Sequence, residues 1–222
     1  MKEYITLKWL IKKEFLSFKR NTALFYSYLL YILGVSFICY IGFLGSGGIH
    51  PRTWNTLFWI SSLFGTMHIC YRSFSSSEKG LFYYYYTITS PEAYLLSKIV
   101  YGFVVSFITS ICSYLAFSLF LGNPVQNQFL YLGAIALGTG CLSIIFTLTT
   151  AIADKSSEKS AMVPILSFPT SLPVLILSVK LAKNALDGIA LNESIDEIVL
   201  LGALFLIIFT LSILLYPFIW RS

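Results

Sequence analysis

Six apolar runs without a single Asp, Glu, Lys or Arg are spread along the chain: Leu24–Leu44, Trp54–Cys70, Ile99–Leu121, Phe129–Ala153, Ala161–Val179 and Ile198–Trp220. A membrane-spanning helix needs about 20 mostly apolar residues. Five runs have 19 to 25 residues; the second has 17 and is extended by Tyr71. One Lys or Asp at mid-membrane costs about 2.5–3.5 kcal/mol on insertion scales. Charge-free runs separated by charged joints therefore read as six transmembrane helices. Charged residues make up 11% of the 222, against about 25% in an ordinary soluble domain. That is too few to coat a water-soluble globule. The expected fold is an all-α membrane protein, one membrane domain over residues 1–222.

Orientation follows from where the cations fall. With the N-terminus inside, the inner segments hold Lys2, Lys8, Lys12, Lys13, Lys19, Arg20, Arg72, Lys79, Lys98, Lys155, Lys159 and Arg221. The outer segments hold Arg52, Lys180 and Lys183. Twelve against three is a clear positive-inside bias, and an even number of spans returns the C-terminus to the cytoplasm. The net charge of +5 is accounted for by this asymmetry and gives no reason to expect nucleic acid as a partner.

Three pieces lie between or before the spans. Residues 1–20 interleave Ile5, Trp9, Phe15, Leu16 and Phe18 with six basic residues, the pattern of an amphipathic helix in the inner interface beside anionic headgroups. Because the run after it is long enough to span, that run is expected to be retained as the first helix. Arg72–Lys98 is the longest inner loop; a short helix fits its middle. Ser90-Pro91-Glu92 carries a helix-start signal: N-cap, N1 proline, first-turn acid. Lys180–Glu197 is the longest outer loop, and KLAKNALDG within it suits a short helix ending near Gly188. Gly45, Gly47 and Gly48 make the first outer loop flexible.

The fifth span contains Pro164, Pro169 and Pro173. Each removes a backbone donor, so this helix is expected to be kinked or broken; such helices often line a pathway or a moving part. A static kink satisfied by its neighbours is an equal reading. Ala134/Gly138 and Ala136/Gly140 in the fourth span form small-xxx-small pairs that mark close helix packing.

Catalytic motifs are missing. No GxxxxGK[ST] phosphate loop, HExxH or GxSxG occurs, and the carboxylates lie in loops. The chain is therefore expected not to be an enzyme, with no catalytic residues, no metal site and no covalently bound cofactor. Cys39, Cys70, Cys112 and Cys141 stand alone in apolar stretches and read as small buried residues. His50 has ligand chemistry for a metal, but a solvated loop histidine is the simpler reading; His68 is expected to hydrogen-bond at the inner interface. Tyr83–Tyr86 suit an aromatic belt or, secondly, a docking surface. A pathway-like body with no engine and a sizeable inner loop implies a subunit driven by another protein.

Two stretches carry a resemblance: SSSEKGLFYYYYTITSPEAYLLSKIVYG (Ser75–Gly102) and MVPILSFPTSLPVLIL (Met162–Leu177). The first is similar to the inner loop and third-span start of the cytochrome c maturation protein B (haem exporter protein B) family, within the ABC-2 type of permease. The second is similar to that family's proline-rich signature. The resemblance covers most of the chain, although the loop here is rich in serine where the family is more acidic, leaving Glu78 as the nearest acid.

The resemblance implies a non-catalytic permease subunit of an ATP-driven complex in c-type cytochrome biogenesis, in the bacterial inner membrane. Haem export, or release of a haem-loaded chaperone, is the family's task, so contact with haem would be transient. ATP hydrolysis would belong to a separate partner, maturation protein A. Maturation proteins C and E are further expected partners, besides membrane lipid. The second permease half would be another copy, giving a homodimer, or a different subunit. The inner loop at Ser77, Glu78, Lys79, Gly80 and Leu81 is the expected ATPase-docking segment. Pro164, Pro169 and Pro173 are the expected kink and gating residues. An ABC-2 permease for another cargo, such as a lipid or drug, is the alternative.

Overall fold

The computed structural model describes residues 2–44, 48–75, 89–156 and 158–221. Among these residues seven α-helices follow in order: α1 (Lys2–Arg20), α2 (Thr22–Phe43), α3 (Pro51–Ser75), α4 (Pro91–Leu121), α5 (Gln128–Ala153), α6 (Lys159–Leu186) and α7 (Ile195–Arg221). A 3-10 turn, Leu191–Ser194, leads into α7. Among the described residues there is no strand, and five segments are long and apolar enough to cross a membrane: Phe25–Phe43, Pro91–Leu121, Gln128–Ala153, Lys159–Leu186 and Leu191–Trp220. The 25-residue α3 is long enough, at about 1.5 Å per residue, but is less apolar than these five.

α5 is the axis of the molecule. It packs against α3, α4, α6 and α7, and 72% of its most apolar stretch is buried. Small residues allow this close approach. A Cβ on Gly138 would sit 2.5 Å from the Trp59 ring and 2.6 Å from the Ser178 hydroxyl, so α3 and α6 touch the α5 backbone there. A Cβ on Gly140 would come within 3.1 Å of Phe205 on α7. The small-residue pairs of the fourth span thus do mark close packing. Between helices in lipid, such van der Waals fit does the work that the hydrophobic effect does in water.

The helix ends follow local chemistry. His50 starts α3: its carbonyl accepts from the Trp54 N–H at 3.0 Å, and its Nδ1 accepts from the Arg52 N–H at 3.3 Å. α4 begins at Pro91, where the Ser-Pro-Glu signal placed a helix start, eight residues before the charge-free run. Asn127 caps α5 by accepting from the Leu130 N–H at 3.2 Å. α6 ends in a Schellman arrangement: Gly188 has φ +73, and the Ile189 N–H donates to the Asn184 carbonyl at 3.0 Å.

One expectation is corrected: the helix around KLAKNALDG is not separate; it forms the last turns of α6. Of the two forms expected of the proline-rich helix, kinked or broken, the break does not occur. α6 runs through Pro164, Pro169 and Pro173 without interruption. All three prolines lie on its exposed side, while Val163, Ser167, Ser171, Val174 and Ser178 form the buried stripe against α5. Ser167 and Thr170 donate to carbonyls of the preceding turn at 2.6 and 3.2 Å, using backbone acceptors within the same helix. The cysteines also divide: Cys70 and Cys141 are buried, Cys39 is half-buried and Cys112 is exposed.

Candidate functional site

The lysine-rich end of the molecule holds its most unusual side chain. Lys98, two turns into α4, is only 1% exposed. A buried ammonium is costly unless it is paired and hydrogen-bonded. Here Nζ donates to Glu14 Oε1 of α1 at 3.0 Å and to the Ser73 carbonyl of α3 at 2.6 Å. The rings of Phe74 and Tyr94 flank it, with centroids at 5.3 and 5.5 Å, which adds cation–π attraction. Glu14 is itself buried and also accepts from Lys13 at 3.1 Å. One ion pair thus joins α1, α3 and α4.

A second cation closes the collar. Lys159, at the start of α6, pairs with Asp154 just after α5. Its Nζ lies 5.2 Å from the Tyr71 ring and 6.0 Å from that of Phe74. Phe74 is therefore held between two lysines. On the other side, Tyr94 stacks on Tyr216 at 6.5 Å and meets Trp220 at 5.2 Å, which brings in the end of α7. All of these helices except α2 meet at this collar.

The collar brackets the segment that joins α3 to α4. Ser73 and Phe74 immediately precede it, and Tyr94 and Lys98 follow it. The expected docking residues Ser77, Glu78, Lys79, Gly80 and Leu81, and the tyrosine run Tyr83–Tyr86, lie outside the described residues. The prolines do not join the collar. Pro164 lines a separate small cavity of about 40 Å³ with Phe64, Met67, Phe146 and Ser171, between α3, α5 and α6. His68 is exposed and meets the Tyr28 ring edge-on at 5.7 Å. Among the described residues no group of three or more His, Cys, Asp or Glu side chains is placed to hold a metal.

The opposite end is fastened by amide hydrogen bonds and an aromatic cluster, together with an ion pair between Lys180 of α6 and Glu197 of α7 at 2.9 Å. Asn55 of α3 donates to the Val179 carbonyl of α6 at 3.0 Å and accepts from the Tyr131 hydroxyl of α5 at 3.3 Å. Trp54, Phe58, Tyr114, Phe117 and Tyr131 pack ring against ring around it. Asn127 donates from its backbone to the Ala185 carbonyl at 2.9 Å and from its side chain to that of Ile189 at 3.2 Å.

A family model described as CcmB protein matches residues 6–220, which takes in the collar, the segment it brackets and all or nearly all of each helix. The chain belongs to the CcmB family. That membership makes it a component of a haem exporter of cytochrome c biogenesis, a multi-subunit system, and its apolar helices make it a multi-pass membrane protein. No curated protein matches it.

Sequence reasoning counted Lys98 and Lys159 only as orienting charges and Glu14 only as part of a surface helix. The signal it passed over was positional. Lys98 follows a helix-start signal by eight residues, so it had to lie inside a helix rather than in a loop.

Proposed function

We propose that this CcmB-family chain is the permease half of an ATP-driven exporter, coupled to a separate ATPase through the loop that the collar brackets. In this reading the protein crosses the bacterial inner membrane six times, with α3 as the second crossing and both termini in the cytoplasm. α1 lies amphipathically in the inner interface. The chain performs no hydrolysis itself. Ser77–Leu81 seats in the ATPase, maturation protein A, with Glu78 and Lys79 as polar contacts. Movement of the loop then passes through Phe74, Lys98 and Tyr94 to α1, α4 and α7. The segment of α6 around Pro169 and Pro173 flexes, and the hydrogen-bonded outer end serves as the fixed base. The work delivered is haem export or release of haem-loaded maturation protein E from maturation protein C.

The observation that carries this reading is the collar: a buried lysine joins three helices where the segment between α3 and α4 begins and ends. Replacing Ser77–Leu81 with a Gly/Ser linker tests it. The linker variant should stay monodisperse in mild detergent, lose co-purification with the ATPase and fail to support c-type cytochrome formation. Undiminished ATPase binding would contradict the docking assignment. Pro169→Ala combined with Pro173→Ala should keep ATPase binding but lower cytochrome yield; full yield would remove the hinge.

A further inference from the structure

An apolar groove runs along the outside of the molecule between α1, α2 and α4, and nothing in the exporter reading uses it. It holds about 490 Å³ and is lined by Phe15, Phe18, Leu29, Val105, Cys112 and Leu119, among others. Its wall is almost wholly apolar. On α4 the lining extends from Val105 to Phe120, about 22 Å at 1.5 Å per residue. That exceeds half of the ~30 Å hydrocarbon core, the depth reached by an acyl chain from one leaflet. Leu33, Ile108 and Leu119 leave the groove open on the lipid side.

One end of the groove is basic. Phe15 and Phe18 close it from α1, with Phe18 stacked on Tyr28 at 6.1 Å. Lys8, Lys12 and Lys19 fall at i−7, i−3 and i+4 from Phe15, so they share its side of the helix, and all three are exposed. Arg20 follows, at the turn into α2. Glu14, which would oppose these charges, is withdrawn into the collar by Lys98. An apolar slot of acyl-chain length, with a row of exposed cations at one end, of which Lys12 lies 5.1 Å from the Trp9 ring, complements one kind of molecule.

We infer that the groove holds an anionic phospholipid of the surrounding bilayer, with one acyl chain seated between α2 and α4 and the headgroup phosphate against Lys8, Lys12 and Lys19. The inference rests on the membrane placement proposed above, but not on ATPase docking. Accessibility of tags at the two termini tests that placement separately.

The test is native mass spectrometry of the full chain released from vesicles of equal phosphatidylglycerol and phosphatidylcholine. The wild-type chain should carry one phosphatidylglycerol, preferred at least about tenfold over phosphatidylcholine, as three cations near a surface allow. Lys8→Gln, Lys12→Gln and Lys19→Gln together should abolish the preference while lipid is still carried. Cys112→Trp, which fills the groove, should lose the bound lipid of either headgroup. Leu214→Trp, at an exposed position away from the groove, should behave as wild type and control for folding. A wild-type chain without headgroup preference would overturn the inference. So would a triple-glutamine variant that kept the preference, or a lipid-free dimer dispersed by Cys112→Trp, which would mark the groove as a contact between two copies.

Discussion

α3 and α7 solve the membrane problem in opposite ways. α7 is strongly apolar along its length, yet only 11% of its most apolar stretch is buried; Leu206, Ile207, Leu214 and Phe218 face outward. α3 falls short of the other five in apolarity and is nevertheless sunk in the middle of the bundle. Trp54, Phe58, Trp59, Ile69 and Cys70 are buried together with Asn55, Ser61, Ser62 and Thr66. A helix facing lipid must be apolar because nothing else around it can satisfy a polar group. A helix wrapped by other helices can carry hydroxyls and amides, because its own carbonyls and its neighbours, rather than lipid, surround them. Ser61 donates to the Phe58 carbonyl of its own helix at 2.8 Å, and Asn55 bridges to α5 and α6. Exposure to lipid thus demands apolarity, whereas burial permits polarity without requiring it: α5 is apolar as well as 72% buried along its most apolar stretch.

The contrast is sharpest for truncation. Trp59→Ala should destabilise the protein in detergent by about 3–5 kcal/mol, since it empties the contact with Gly138. Leu206→Ala on α7 should change thermal unfolding by less than about 0.5 kcal/mol. Equal effects at the two positions would erase the distinction. Lys98→Ala should cost about 3 kcal/mol, because Glu14 is left charged in a buried site. Lys98→Met with Glu14→Leu should recover most of that loss, which a thermal melt of the pair would read directly. Polarity should matter in the reverse sense. Leu206→Asp should oppose insertion by about 2.5–3.5 kcal/mol in a glycosylation-mapping assay. Asn55→Ala should cost about 1 kcal/mol, the scale of a hydrogen bond between membrane helices, and so fall between the Lys98 and Leu206 truncations.

The same contrast explains what the sequence disclosed. Spans facing lipid were legible as charge-free runs because insertion energy is written residue by residue. The start of α4 was legible too, since Ser90-Pro91-Glu92 is local chemistry. Continuity of α6 was not. Three prolines argue for a break when the helix is considered alone, but their placement on the exposed side leaves the Ser167–Ser171–Ser178 stripe free to pack on α5. The collar was the least legible part. Glu14 and Lys98 are 84 residues apart, and no periodicity or spacing links them; only the packing of α1 on α4 makes them partners. The docking role proposed for Ser77–Leu81 rests on the family resemblance, whereas the ion pair of Lys98 with Glu14 is read from the packing alone.

Whether α3 crosses the bilayer decides the arrangement, because it changes the number of crossings from odd to even. The direct measurement is protease and thiol-label accessibility of tags fused at each terminus, in sealed inner-membrane vesicles of known orientation. Six crossings predict that both tags are reached from the cytoplasmic side. Tags reached from opposite sides would leave five crossings, and α3 would no longer be a membrane-spanning element.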